Sequence, residues 1–352
     1  MSPKSFLILA GATAIAVALA VVAVAGRDVP VSSRPAGTGF VSGLLDHANE
    51  VRTIRITGPG TATLTLVQGE HGWSLSEKAG YPAKTAKARD LVLQLANLQL
   101  IEAKTARADR LPRLELEDPG KEGTKSHLVE LLAADGKPLA TAVVGKTRYG
   151  LFGGSRSGIY VRHPGDPQAW LAVGTFELPN DALDLIDLQV IDVPLADVAK
   201  VTLGEGETAA VLHKAGGDAG SFVLDTPAPE GRQLDPAKAD EVGGMLGALS
   251  MQDVKPAKEV GEGGTVRHSR VETFDGLVID VSLRQLGEGE AAEYWLELQA
   301  GAGNADPAQP AAKRAAELQA KLGGWAYKVA PYLQDRLGAK LDNVLSEPDS
   351  AS

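Results

Sequence analysis

The tripeptide Gly145-Lys146-Thr147 has the form that closes a phosphate-binding loop, and it follows the apolar run Leu139 to Val144 as such a loop follows a strand. That loop also needs a glycine at position 140 to begin its cradle of backbone N–H groups, and this chain has Ala140 there, inside the strand itself. Nucleotide binding is therefore not supported. His47, His71, His127, His163, His213 and His268 contain no pair at i, i+3 or i+4 and no His-Glu-x-x-His frame, so local spacing offers no zinc site. Gly154-Ser155-Arg156-Ser157-Gly158 carries Arg156 where a nucleophile elbow needs serine. Asp181, Asp184 and Asp187, three apart, would align carboxylates on one helical face able to hold a cation. The plainer account is a solvated face opposite Leu183, Leu185 and Ile186. The chain has no cysteine, which excludes disulfides, thiolate metal sites and thiol nucleophiles.

The best local candidate for a contact surface is the glycine-rich stretch Gly150 to Gly158. Arg148, Arg156 and Arg162 lie around it in the manner of an anion-binding nest. Tyr149, Phe152 and Tyr160 are the local group of aromatic residues. The competing reading is a surface loop joining two strands. No catalytic, cofactor-binding or metal-binding residue is assigned.

The elements that must position this loop follow from periodicity. Val51 to Ile56, Thr63 to Leu66 and Trp73 to Ser76 alternate like half-buried strands separated by glycine-bearing turns. From Tyr81 to Lys84 a helix opens, with Leu91, Leu95 and Leu98 on one face. About 150 residues later the order returns as Val198 to Leu203, Ala209 to Leu212 and Phe222 to Leu224. A second helix comes next, with Asp235 as N-cap, Pro236 at its first position, and an apolar stripe of Val242, Met245, Leu246 and Leu249. After each helix an Asp-Gly pair, Asp135-Gly136 or Asp275-Gly276, sits between apolar runs and predicts a two-residue hairpin. Tyr160 to Arg162 and Trp170 to Val173 close the first copy; Tyr294 to Leu298 and Trp325 to Val329 close the second. A short helix is expected over 311–322 and a last one over 331–345. The four tryptophans read as core or half-core residues of strands before they read as ligand stackers.

Length and composition agree with this duplication. At roughly 150 residues per domain, 352 residues make about two domains, and 44% hydrophobic with 23% charged residues fits a folded globular chain. The net charge of -10 argues against nucleic acid as a partner. From Phe6 to Gly26 no charge occurs, and about 21 residues at 1.5 Å each span roughly 31 Å, close to a bilayer core. Ala23-Val24-Ala25 before Gly26 also fits a cleaved secretory signal; both readings export residues 27–352.

The apolar leader, the Trp73-to-Ala83 unit, Leu95 to Leu98, Asp135-Gly136 leading to Val143-Val144-Gly145, Tyr160-Val161-Arg162, Gly324 to Val329 and the returning second half together resemble domain-of-unknown-function family 4340. The resemblance implies a bacterial, membrane-anchored protein facing the periplasm or cell exterior, often encoded beside an ABC transporter of the gliding-motility type, whose permease or auxiliary subunits would be its partners. It carries no catalytic residues. The expected fold is α+β: an N-terminal transmembrane helix (1–26) and linker (27–44), then two tandem, duplicated modules of antiparallel hairpins packed on an amphipathic helix (45–178 and 195–345). A bridge (179–194) joins them, and a disordered tail (346–352) ends the chain. The expected role is a non-enzymatic accessory subunit, single-pass in the cytoplasmic membrane and held to the bilayer through residues 6–26. Alternatives are an envelope polysaccharide- or peptide-binding module and a hydrolase using dispersed carboxylates such as Asp184 or Asp187.

Overall fold

The computed structural model describes residues 37–59, 62–152, 154–215, 220–303 and 310–347. The expected membrane segment lies outside them, as do most of the linker and residues 348–352 of the tail. Among the described residues no helix is long and apolar enough to cross a membrane. The fold is α+β, mostly antiparallel sheet with a few helices. It divides into two compact units, one comprising 37–69 and 86–178, the other 70–85 and 179–347.

In chain order the strands of the first half are β1 (Thr53–Thr57), β2 (Thr63–Gly69), β3 (Gly72–Leu75), β4 (Tyr81–Pro82), β5 (Gln99–Thr105), β6 (His127–Leu132), β7 (Pro138–Leu151), β8 (Arg156–Arg162) and β9 (Ala169–Val173), with helix α1 (Thr85–Ala96) between β4 and β5. The second half has β10 (Gln189–Ile191), β11 (Val198–Leu203), β12 (Ala210–Lys214), β13 (Phe222–Leu224), helix α2 (Pro236–Gly243), β14 (Leu249–Ser250), β15 (Asp253–Pro256), β16 (Thr265–Thr273), β17 (Val278–Leu286), β18 (Glu293–Gly301), helix α3 (Pro310–Leu322) and β19 (Trp325–Val329).

In the first unit seven strands pair in the order β2-β1-β6-β7-β8-β9-β5. In the second the order is β13-β12-β11-β16-β17-β18-β19-β15. Seven positions of the two sheets have the same connectivity, and each sheet is antiparallel throughout. One face of each carries the core. Ile54, Leu131 and Ala140 form one buried row of the first sheet, and Val201, Val271 and Ile279 form the matching row of the second. The strands alternate because side chains on a pleated strand point to opposite faces.

Hairpin β3–β4 belongs with the second unit. Lys78 forms an ion pair with Asp253, the Tyr81 ring stands edge-on to Trp325 at 5.0 Å, and the Lys84 N–H donates to Leu185 O at 2.8 Å. The bridge segment also sits in that unit, where β10 pairs with β14.

Four expectations need correction. The Asp-Gly turns are three-residue hairpins: the Gly136 N–H donates to Ala133 O, the Ala133 N–H donates to Lys137 O, and Gly136 has φ 79°. Thr273, Gly276 (φ 94°) and Leu277 repeat the pattern. Glycine supplies the left-handed residue of a bulge here rather than the second corner of a two-residue turn. Helix α1 ends at Ala96, so Leu98 is buried from beyond the helix. Helix α2 is shorter than expected; Met245, Leu246 and Leu249 are buried after it ends at Gly243. The expected C-terminal helix is three short turns, Pro331–Leu333, Gln334–Leu337 and Leu341–Val344, interrupted at Gly338. In all three helix cases the apolar spacing marks buried positions, and interior packing is satisfied without continuous helix. Asp235 does cap α2, accepting from the N–H groups of Ala237 (3.0 Å) and Lys238 (3.3 Å).

Candidate functional site

Strands β7 and β8 form a hairpin whose pairs run from Val143–Arg162 to Arg148–Gly158 and then Leu151–Arg156 at its tip. Six residues were expected to share this surface, and the structure separates them. Tyr149 is 80% exposed and Phe152 75%, the latter held at φ 56° in the turn. Arg148 and Arg156 are exposed beside them, as is Lys146. Among the described residues none of these three cations has an ion-pair or hydrogen-bond partner. From Gly145 to Gly158 the sequence contains no acidic residue, although the whole chain carries -10.

Tyr160 and Arg162 are interior groups instead. Tyr160 packs in a second core with Leu111, Leu116, Val143, Leu151, Ala169 and Leu171. Arg162 is 2% exposed; its Nε donates to Leu116 O at 2.7 Å and its Nη2 to Asp118 Oδ1 at 2.7 Å. Both strand residues point inward because the segment 106–126, including the 3₁₀ turn Ala108–Leu114, folds across this face of the sheet. Gly145 makes that crossing possible, since a Cβ there would lie 2.2 Å from Leu114 O and 2.8 Å from Glu115 O. The resemblance of Gly145-Lys146-Thr147 to a phosphate loop thus has a packing origin. Sequence periodicity did not reveal this cover; the hydrophobic Leu111, Leu114 and Leu116 flanking Pro112 were its only trace.

In the second unit the corresponding sheet face is open. A groove of about 760 Å³ is lined by Lys200, His268, Arg270, Glu272, Asp280 and Ser282 among others. Its charges are mostly paired within the face: Lys200 to Glu272 at 3.0 Å and Arg270 to Asp280 at 2.6 Å. The hydrogen bond that Arg270 donates to Asp280 pushes the Arg270 pKa up. His268 Nδ1 lies 3.0 Å from Ser282 Oγ.

The other candidate groups take local structural roles. Asp181 accepts from the N–H of Leu183 at 2.8 Å, Asp184 from that of Asn180 at 2.8 Å, and Asp187 from that of Gln189 at 3.1 Å. Three consecutive turns use the three carboxylates, and only Leu183–Leu185 is helical, as a single 3₁₀ turn. The described residues contain no cluster of three His, Asp or Glu side chains able to hold a metal ion. His163 stacks on Phe40 with centroids 4.4 Å apart, and His213 Nδ1 lies 2.8 Å from Asp225 Oδ1. Burial pushes the Tyr81 and Tyr327 hydroxyls above their ordinary range. Trp73, Trp170 and Trp295 are buried strand residues and Trp325 is half-buried; Lys255 Nζ lies 3.9 Å from the centre of the Trp295 ring.

The model of one family, described as Domain of unknown function (DUF4340), matches residues 73–264. This is more than half of the chain. The chain belongs to that family. The DUF4340 match opens at Trp73 in β3 and closes at Gly264, one residue before β16. It contains the β7–β8 hairpin entire and only part of the groove-bearing sheet. No curated protein and no solved structure matches the chain.

Proposed function

We propose that this DUF4340 chain is a non-enzymatic, membrane-tethered accessory subunit of an ABC-type transport complex of the gliding-motility kind, with its folded units on the periplasmic or outer side of the cytoplasmic membrane. The observation that carries the reading is the uncharged run Phe6 to Gly26, long enough to span a bilayer and separated by ten residues from Gly37, where the described residues begin. The shared strand order supports a duplicated module, repeated once after that tether. The exposed β7–β8 tip, with unpartnered cations beside two exposed aromatics, is the contact surface in this reading.

The test is purification of the tagged full-length chain from membranes in a mild detergent. Permease or auxiliary transporter subunits are expected to copurify; recovery of the chain with no transporter subunit overturns the reading. A second reading, an envelope polysaccharide- or peptide-binding module, draws on the groove lined by Lys200, His268 and Asp280. Retention of cell-wall glycan or peptide by the immobilised chain supports it, and loss of that retention in an Arg270→Ala, Asp280→Ala variant assigns it to the groove.

A further inference from the structure

The two ends of the first unit's chain path meet on one row of its sheet. Gly39 bridges to Gln99, Gln99 pairs with Val173, Val173 with Gly158, and Gly158 with Arg148. Four strand spacings of about 4.8 Å put Arg148 about 19 Å from the entering chain. Strand β5 begins at this row and β9 ends on it, while the β7–β8 hairpin continues past it to the pair Leu151–Arg156. The cationic, aromatic tip therefore overhangs the edge of the sheet beside the point where the chain enters. Residues 27–36 separate that entry from the apolar run, and ten residues reach at most about 36 Å. A bilayer holding residues 6–26 is within reach of the tip.

From this geometry we infer that the β7–β8 tip rests on the anionic surface of the same bilayer that holds the leader, a step that builds on the tethered reading above. Lys146, Arg148 and Arg156 face lipid phosphates, and Tyr149 and Phe152 enter the interfacial layer, where amphipathic and aromatic rings are favoured. Charge complementarity selects this occupant. On a chain of net charge -10, three cations without an intervening acid make the tip a place where an anionic surface is attracted rather than repelled. The contact fixes the orientation of the first unit over the membrane.

The absence of native cysteine allows a single label. The full-length chain carrying Ser155→Cys, modified with an environment-sensitive fluorophore, is reconstituted into phosphatidylcholine vesicles with or without phosphatidylglycerol. A blue shift and quenching by a lipid-borne quencher are expected only with phosphatidylglycerol, and molar salt reverses both. Arg148→Gln and Arg156→Gln, each at an exposed and unpartnered position, are expected to lower the ratio of quenched to free tip about fivefold apiece. Equal quenching on neutral vesicles, none on anionic ones, or quenching that needs added transporter subunits overturns the inference. Flotation of the same samples separates the two levels: a chain that leaves the vesicles defeats the tethered reading as well, whereas a retained chain with an unquenched tip defeats the inference alone.

Discussion

The two sheets share their strand order and differ in what covers their outer faces. Aligned on the turns at Gly136 and Gly276, the registered row Leu128–Val143–Arg162 of the first sheet corresponds to His268–Ser282–Glu297 of the second. In the first, residues 106–126 lie between β5 and β6 and bring Leu111 and Leu116 over Val143. In the second, only residues 257–264 connect β15 to β16, and the small cluster of Val260, Trp295 and Ala326 is the cover they provide. Loop length and face polarity vary together. A sheet face acquires an apolar row where a connection is long enough to bury it and keeps polar residues where water remains. The backbone plan is thus compatible with either a sealed face or an open groove, and side chains decide which.

The largest test of this contrast is to damage the cover. Leu116→Ala empties a fully buried site in the first unit and should cost about 2 to 5 kcal/mol, read as a lowered urea midpoint and faster hydrogen exchange in β7 and β8. Gly145→Ala drives a Cβ into the carbonyls of Leu114 and Glu115 and should cost about 1 to 3 kcal/mol, with the same exchange signature. Arg162→Met leaves the Leu116 carbonyl without its buried donor and should cost about 1 to 3 kcal/mol, measured the same way. The open face predicts the opposite. Lys200→Ala removes an ion pair whose two partners are half-buried at an open face and should change stability by less than about 1 kcal/mol, so a larger loss would mean that the groove is a sealed core.

A pH effect sharpens the comparison further. Burial lowers the His127 pKa at the start of β6, with Glu115 opposing it. The native state then holds this proton less readily than the unfolded chain, so the contribution is present above the unfolded value near 6.5 and lost as pH falls through that range. Urea midpoints should fall between neutral pH and about pH 5, and His127→Gln should flatten part of that slope.

Much of the fold is legible in local pattern. Ile54 and Ile56 alternate into the core, Leu91 and Leu95 mark one face of α1, and Asp235-Pro236 starts α2, because strand pleat, helical pitch and capping are all local. Strands β5 and β15 carry no comparable mark. The first follows α1 and the second the short β14, neither with a turn signal of its own, and each becomes an edge strand only through pairing with β9 or β19, distant in sequence. The candidate site was half legible. The clustering of Arg148, Tyr149, Phe152 and Arg156 was visible as composition, but Tyr160 and Arg162 share the strand alternation of surface residues, and only the crossing segment 106–126 turns them inward.

The amino-acid sequence by itself determined most of the strands, the start of α2, the returning order of elements and a leader apolar enough for a bilayer, since each depends on the chemistry of neighbours along the chain; α1 begins at Thr85 rather than at Tyr81, which pairs in β4 instead. Tertiary structure decided which sheet face is sealed, why Gly145 must lack a side chain, and that the cation-bearing tip overhangs the row that Gly39, near the start of the described residues, joins. Those depend on residues far apart in sequence meeting in space, and burial and charge pairing take their values only from that meeting.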